Sequence, residues 1–137
     1  MSEKVRILIV DPDEDTQDFF FRALTTKNRF QCFVASRKEE ARDILNAFPI
    51  DLILIDIGIA ESSNFALLRE ILSRWTHTVV LLSGSIHQTR HMKDAVSMGA
   101  HGYIIKPISL YSLRKIVESY TRETTTVNRM WGVFENM

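Results

Sequence analysis

Four polar residues, each standing where a run of apolar residues ends, are the first candidates for chemistry in this sequence. They are Asp11, Asp56, Ser83 and Lys106. Two carboxylates about 4 Å apart repel each other by about 4 kcal/mol at an effective dielectric of roughly 20, so a pair brought together needs a cation beside it. A carboxylate is also a nucleophile that can form an acyl phosphate.

The chemistry that suits this set is magnesium-assisted handling of a phosphoryl group. Mg²⁺ takes one or two carboxylates together with waters and phosphate oxygens. The ammonium of Lys106 would neutralise a phosphoryl group, and the Ser83 hydroxyl would donate a hydrogen bond to another of its oxygens. Taken one at a time, such residues are a helix cap, a turn serine and a surface lysine. The joint pattern favours the functional interpretation.

These residues act together only if the fold brings them to one edge, and the pattern of the chain indicates that it does. Short apolar runs alternate five times with amphipathic segments of helical period, which is typical of strand–helix units. Strands covered on both faces read as continuous apolar runs, so a parallel sheet between helices is expected. The predicted strands are 5–10, 30–35, 51–56, 78–82 and 102–105.

The helices carry boundary signals of their own. Acidic residues fill the first turn of a helix predicted over 13–26, at the positive end of the helix dipole. The segment Ser-Arg-Lys-Glu predicts a capping box, with Ser36 as N-cap and Glu39 at the third helical position. Gly99 is expected to close the fourth helix. The prediction is a three-layer (βα)5 α/β fold, in which ligands bind outside the carboxyl ends of the strands.

Composition excludes several other classes of protein. The 137 residues fit one domain, and 17 basic residues balance 17 acidic ones, so the formal net charge is zero. A neutral chain lacks the basic face of a dedicated nucleic-acid binder and the polybasic segment of a membrane anchor. Cys32 has no cysteine to pair with, and neither a signal-peptide pattern nor an apolar run of about 18–20 residues is present. We therefore expect a cytoplasmic protein.

Several motifs occur together in the order that one known family has. Ile-Val-Asp stands at 9–11, Asp56 follows Asp-Leu-Ile-Leu-Ile, and Ser83 follows a fourth apolar strand. The most specific motif is Gly-Ala-His-Gly-Tyr-Ile-Ile-Lys-Pro at 99–107. From 4 to about 120, the chain resembles the receiver domain of two-component response regulators. The resemblance implies a doubly wound, five-stranded parallel sheet in the order 2-1-3-4-5.

For the site, the resemblance implies that Asp56 is the phosphoacceptor and that a histidine kinase or phosphotransfer protein donates the phosphoryl group. Mg²⁺ would be held by Asp11, by Asp56 and by the backbone carbonyl of Gly58. The family's acidic pair is usually two adjacent residues, but here the second is Pro12. Asp13 stands one residue further on, and it either reaches the metal or caps the first helix.

Three further residues match the family's switch. Lys106 matches the lysine that pairs with the phosphoryl group, Ser83 the hydroxyl that reports phosphorylation, and Tyr103 the aromatic residue that moves with it. The change would reach the surface formed by the fourth helix, the fifth strand and the fifth helix. An output domain, a target protein or a second copy of the chain would bind there. Such a protein is a signalling phosphoacceptor rather than a metabolic enzyme.

Two other functions stay open. Because Pro12 replaces a metal-binding acid, the chain is alternatively a pseudo-receiver, which is a phosphorylation-independent interaction module with the same fold. A haloacid-dehalogenase-like phosphatase is more remote. The segment 11–13 reads as its Asp-x-Asp motif, but Asp15 stands where that family usually has Thr or Val, and Asp56 is left without a role.

The end of the chain differs in character from the rest. The receiver domain is expected to occupy 1–120. Residues 121–128 are polar and rich in threonine, and apolar residues return at 130–134. We interpret 121–137 as a polar linker and an apolar tail, which either packs on the domain or starts a further module.

Overall fold

The computed structural model describes residues 4–121, in which strands and helices alternate along the chain. The strands are β1 (Val5–Val10), β2 (Phe30–Ala35), β3 (Leu52–Asp56), β4 (Val79–Gly84) and β5 (Gly102–Ile105). The helices are α1 (Glu14–Thr25), α2 (Lys38–Ala47), α3 (Ile57–Arg74), α4 (Thr89–Met98) and α5 (Leu110–Thr121). A short 3-10 helix, Ile86–Gln88, precedes α4.

The five strands are parallel and form one sheet in the order β2-β1-β3-β4-β5. This order confirms the predicted doubly wound α/β fold. The strand segments 7–10, 52–55 and 80–82 are almost completely buried. They are covered on both faces, which explains why the sequence reads there as continuous apolar runs rather than as alternating ones.

Helices cover both faces of the sheet and divide the core in two. One core lies under α1 and α5 and contains Phe20 and Leu113. The other lies under α2, α3 and α4 and contains Leu45, Leu68 and Met92. Burial of an apolar side chain of this size adds roughly 1.5–3 kcal/mol to the free energy of unfolding. The two cores together therefore hold the strands, and the residues at their ends, in fixed positions.

The end of the described chain bears on the predicted domain boundary. Thr121, which was predicted to open the linker, is the buried last residue of α5. The remainder of the predicted linker and tail, 122–137, lies outside the described residues. Within 4–121, no helix combines the length and the apolar character that crossing a membrane requires.

The start of α2 differs from the prediction. Arg37, not Ser36, is the N-cap residue, and it makes no side-chain cap hydrogen bond. The Ser36 N–H donates to Glu40 Oε1 at 2.7 Å, so Glu40 rather than Glu39 reaches back across the helix start. The Ser36 hydroxyl accepts from Gln17 Nε2 at 3.0 Å. The capping-box prediction was wrong because α2 starts one residue later than expected, which places Ser36 before the N-cap, where its hydroxyl contacts Gln17 on α1.

α3 contains a break that the sequence pattern did not indicate. Ser62 is extended, and Ser63, Asn64 and Phe65 follow with φ values of 54°, 57° and 62°. Left-handed backbone costs residues other than glycine roughly 1–2 kcal/mol each, because Cβ approaches the following carbonyl oxygen. The break separates the turn that follows Asp56 from the remainder of α3.

The end of β4 packs closely against the starts of α3 and α4. A Cβ atom on Gly84 would lie 2.8 Å from Ile57 Cγ2, 2.9 Å from Gln88 Oε1 and 3.1 Å from Met92 Sδ. Ile57 and Met92 are fully buried, so they have little room to move aside. Glycine is therefore needed at this position for the backbone of β4 to approach the two helices.

We predict that Gly84→Ala lowers the free energy of unfolding by about 1–3 kcal/mol, because the added methyl group overpacks this junction. Urea denaturation followed by circular dichroism measures the change. Ser97→Ala, at an exposed position of α4, is the control and should stay within about 0.5 kcal/mol of the wild type. Equal stability of the two variants would contradict the close packing at Gly84.

Candidate functional site

The sheet brings the four candidate residues to one edge. Asp11 directly follows β1, Asp56 is the last residue of β3, and Lys106 directly follows β5. Ser83, near the end of β4, is the strand partner of Asp56. All four therefore lie at the carboxyl ends of their strands, where open parallel sheets bind ligands.

Lys106 joins the two aspartates directly. Its Nζ donates to Asp11 Oδ2 at 2.9 Å and to Asp56 Oδ1 at 3.0 Å. Burial disfavours the charged ammonium, but the hydrogen bonds to Asp11 and Asp56 outweigh that cost and raise the pKa of Lys106 above its usual value. Lys106 therefore stays charged and holds the two carboxylates together against their mutual repulsion.

Asp11 forms the buried side of this cluster. Its side chain is 2% exposed, and its Oδ1 accepts from the Asp13 N–H at 2.9 Å. Its backbone carbonyl accepts from Gln17 Nε2, which also donates to Ser36. Gln17 is a supporting residue that the sequence reasoning missed, because an isolated glutamine in a helix carries no signal of a tertiary contact.

Asp56 is the more accessible of the two carboxylates, with a side chain that is 14% exposed. Its Oδ2 accepts from the Gly58 N–H at 2.9 Å and caps the start of α3. A Cβ atom on Gly58 would lie 3.0 Å from that oxygen, so glycine permits this close turn. One oxygen of Asp56 thus faces an ammonium and the other a backbone donor.

Ser83 has a buried side chain with nothing to bind. Within residues 4–121, its Oγ is the only buried side-chain polar atom that lacks a hydrogen-bond partner. An unpaired buried hydroxyl costs about 1–3 kcal/mol, which a fold without use for it would avoid. Ser83 therefore presents, beside its strand partner Asp56, a buried hydroxyl that makes no hydrogen bond within the described part of the chain.

Asp13 turns toward α1. Its Oδ2 accepts from Thr16 Oγ1 at 2.7 Å and from the Thr16 N–H at 3.2 Å, which makes Asp13 the N-cap of the helix. The bond from the Thr16 hydroxyl is the main cause that lowers the pKa of Asp13 below its usual value. Of the two roles that the sequence left open, the structure shows the helix cap.

Tyr103, on β5, is separated from Asp56, on β3, by the strand β4, and it is close in register to Ser83. It pairs with Leu82, the residue before Ser83, and its half-buried side chain packs on the core under α2, α3 and α4. The Lys106–Pro107 peptide bond at the end of β5 is cis. Tyr103 thus stands where β5 faces α4, between the site and an outer surface.

A second link between the site and α4 was not foreseen. Glu61, on the turn that follows Asp56, lies 2.8 Å from His91 on α4, between Oε2 and Nδ1. The pair spans α3 and α4, so only knowledge of the helix packing could have found it. It joins the beginning of α3 to α4 on the outer side of the site.

The residues of the cluster fit a magnesium ion. Asp11 and Asp56 converge on one ammonium group, so the space between them accepts a cation. Mg²⁺ needs only one or two carboxylates when waters complete its shell. Gly58, whose carbonyl is the expected third ligand, follows Asp56 by two residues in the same turn. Among the described residues, no group of three or more His, Cys, Asp or Glu side chains is arranged to hold a metal. The carboxylate set is therefore limited to two.

Fold and site together define a signal-receiver class of α/β domain, with an aspartate–lysine cluster at the carboxyl edge of its sheet. The chain belongs to the response regulator receiver domain family, whose model matches residues 7–118. Regulatory protein AtoC of Escherichia coli (strain K12) is 32% identical over 116 residues, which are 82% of this chain and 24% of AtoC.

Two further comparisons agree with this assignment. Transcriptional regulatory protein CitT of Bacillus subtilis (strain 168) is 28% identical over 86 residues, which are 63% of this chain and 38% of CitT. The chain therefore spans less than half the length of either curated relative. The crystal structure of a response regulator from Thermotoga maritima superposes with a TM-score of 0.78 at 26% identity, covering 86% of this chain and 98% of that one.

The unpaired hydroxyl of Ser83 leads to a prediction about stability. We expect Ser83→Ala to leave the free energy of unfolding unchanged or raised, because the substitution removes a buried polar group that makes no hydrogen bond. Thr78→Val is the matched control, since the buried Thr78 hydroxyl donates to the Ile50 carbonyl at 2.8 Å.

Thr78→Val should lower the free energy of unfolding by about 1–3 kcal/mol, because it leaves a buried carbonyl unpaired. Parallel urea titrations of both variants and the wild type measure the difference. Equal destabilisation by Ser83→Ala would mean that Ser83 has a structural hydrogen bond after all.

Proposed function

We propose that the chain is the phosphoacceptor domain of a two-component phosphorelay, and that Asp56 accepts a phosphoryl group from a histidine kinase or a phosphotransfer protein. The observation that carries the proposal is the buried, unpaired Ser83 hydroxyl beside the Asp56–Lys106 pair. A phosphoryl group on Asp56 would supply the acceptor that this hydroxyl lacks. Family membership supports the same function.

Accessibility favours Asp56 over Asp11 as the acceptor. Both carboxylates accept hydrogen bonds on both oxygens, but the Asp56 side chain is 14% exposed, whereas that of Asp11 is 2% exposed. A protein donor must present its phosphoryl group from the solvent side. Asp11 is better suited to fix Lys106 and to contribute charge for a cation.

The transfer is a displacement at phosphorus. A carboxylate oxygen of Asp56 attacks, the P–N bond of the donor phosphohistidine breaks, and an acyl phosphate forms. The donor imidazole leaves with the electron pair of that bond and takes up a proton. Lys106 neutralises the transferred group, and Ser83 donates a hydrogen bond to one of its oxygens.

A Mg²⁺ ion held by Asp11, Asp56 and the Gly58 carbonyl would add positive charge beside the phosphoryl oxygens. The chain's own residues supply the orientation. The Gly58 N–H fixes one oxygen of Asp56, and Lys106 fixes the other, so the carboxylate has a single direction.

The output is a shift in the population of surface conformations. Once Ser83 turns to the phosphoryl group, Tyr103 follows into the space between β5 and α4. The surface of α4, β5 and α5 carries exposed apolar residues for a partner, among them Val96, Leu110 and the 68%-exposed Tyr111. An output domain, a target protein or a second copy of the chain is the expected partner.

The balance of charge argues against nucleic acid or membrane as a direct partner. A histidine kinase presents its phosphoryl group in the cytoplasm, so we place the function there. The only chemistry required of the chain is its own phosphorylation and dephosphorylation, which is a signalling role rather than a metabolic one.

A pseudo-receiver is the second candidate, and one observation favours it. Pro12 has no oxygen in its side chain, and Asp13 does not replace it in the cluster because its carboxylate caps α1. A chain of this kind would offer its surface to a partner without phosphorylation. The phosphatase alternative has less support, because it leaves Asp56 without a role and because the chain belongs to the receiver family.

Phosphorylation of Asp56 is tested by intact-protein mass spectrometry after incubation with acetyl phosphate and Mg²⁺. We expect the wild type to gain one phosphoryl group and Asp56→Asn to gain none, since the amide is not a nucleophile. Asp15→Asn, at an exposed acidic position on α1, should still be phosphorylated.

Hydroxylamine should remove the group, because it cleaves acyl phosphates. No mass gain in the wild type, even at high Mg²⁺ and with phosphoramidate as donor, would contradict the phosphoacceptor and favour the pseudo-receiver. A full mass gain in Asp56→Asn would show that another residue is the acceptor.

A further inference from the structure

The acidic segment after β1 holds one carboxylate that is near the site but does not take part in it. The Asp13 N–H donates to Asp11 Oδ1 at 2.9 Å, so the Asp13 backbone already touches the cluster. Its carboxylate, however, is held by Thr16 through two hydrogen bonds to the same oxygen, Oδ2. The direction of one side chain therefore decides whether the site has two carboxylates or three.

We propose that Thr16 is a positioning residue that keeps Asp13 in the helix cap and thereby limits a divalent cation to the carboxylates of Asp11 and Asp56. The proposal rests on the metal site of the proposed function. Its consequence is a weak cation site, because affinity for a hard cation rises with the number of carboxylate charges around it.

The backbone of Asp13 lies directly beside the cluster, because its N–H donates to Asp11 Oδ1 at 2.9 Å. The charge of Lys106 contributes to the lowered pKa of Asp13, so the carboxylate already feels the field of the cluster. The two residues that Asp13 contacts have fixed positions, since Asp11 is buried and Thr16 lies in the first turn of α1. Without the bond from the Thr16 hydroxyl, the Asp13 carboxylate would keep only the 3.2 Å bond from the Thr16 N–H, and on this proposal its side chain then turns toward the cluster that its backbone already contacts.

Pro12 and Thr16 both lower the number of carboxylates that are available to a cation. Pro12 removes a carboxylate from the position next to Asp11, and Thr16 prevents the next residue from replacing it. The buried hydroxyl of Ser83, which has no hydrogen-bond partner among the described residues, remains at this edge as a donor for the proposed phosphoryl group. The chain thus combines an edge suited to a phosphoryl group with a small number of charges for the cation.

The experiment is a titration of the full chain with Mg²⁺ in the absence of a phosphodonor. Binding is monitored through the chemical shifts of the backbone amides from Asp11 to Gly58 in two-dimensional NMR spectra. The variants are Asp13→Asn, Thr16→Val, Thr16→Ser and the double variant Thr16→Val/Asp13→Asn. Asparagine is as good an N-cap as aspartate, so Asp13→Asn removes the charge and keeps the helix start. Thr16→Ser keeps the hydroxyl that Thr16→Val removes.

We expect Asp13→Asn and Thr16→Ser to bind Mg²⁺ within about twofold of the wild type, because an exposed charge outside the ligand set contributes little. Thr16→Val should tighten Mg²⁺ binding by up to about tenfold, because it removes the shorter of the two bonds that hold Asp13 and leaves only the 3.2 Å bond from the Thr16 N–H, and because an added carboxylate raises the affinity for a hard cation. The double variant should return to the wild-type affinity, since the carboxylate that Thr16→Val releases is then absent.

Several results would overturn the proposal. If Asp13→Asn weakens Mg²⁺ binding as much as Asp56→Asn does, Asp13 is already a ligand. If Thr16→Val binds no more tightly than Thr16→Ser, the Thr16 hydroxyl does not hold Asp13 back. If the double variant keeps the tighter binding, the gain does not come from Asp13.

Pro12→Asp provides a positive control, because a carboxylate next to Asp11 should tighten Mg²⁺ binding by about tenfold or more. Absence of Mg²⁺ binding in every variant, including Pro12→Asp, would also overturn the proposal. Failure of the proposed function is a separate result. It would appear as a wild type that gains no phosphoryl mass while its Mg²⁺ titrations still follow the expected order.

Discussion

The bridge from Lys106 to Asp11 and Asp56 is the interaction on which the rest of this edge depends. Two carboxylates with little access to water repel each other strongly, and only a cation between them makes their approach favourable. The ammonium supplies that cation from within the chain, at 2.9 Å and 3.0 Å from the two oxygens. It thereby fixes the ends of three strands, β1, β3 and β5, relative to one another. The two carboxylates differ in their exposure to solvent, because Asp11 is enclosed beneath α1 and Asp56 is partly exposed.

The surroundings connect this bridge to the helices. Gly58 lets the chain turn sharply after Asp56, and Gly84 lets β4 lie against the starts of α3 and α4. Glu61 and His91 join those two helices at the surface. The end of β4 is therefore packed closely against the starts of both helices, immediately after Ser83.

The fold and the membership of the cluster could be predicted because each polar residue ends an apolar run, and parallel strands bring those ends together. Features that depend on tertiary contacts could not be predicted from the sequence. The capping box expected at Ser36 is absent because α2 starts one residue later, and the Ser36 hydroxyl contacts Gln17 on another helix. The break at 63–65 has no glycine or proline to mark it. For Asp13, the spacing allowed two roles, and only the position of Thr16 chooses between them.

The bridge joins residues that are 95 positions apart in the chain, and every strand of the sheet except β2 contributes to the edge around it. No early part of the polypeptide can form it, because the lysine is made long after both aspartates. While the chain is being synthesised, the two carboxylates lack their counter-ion, and the edge of the sheet is complete only when β5 has joined β4. The edge around the bridge is therefore complete only in a molecule whose strands β1, β3, β4 and β5 have all come together.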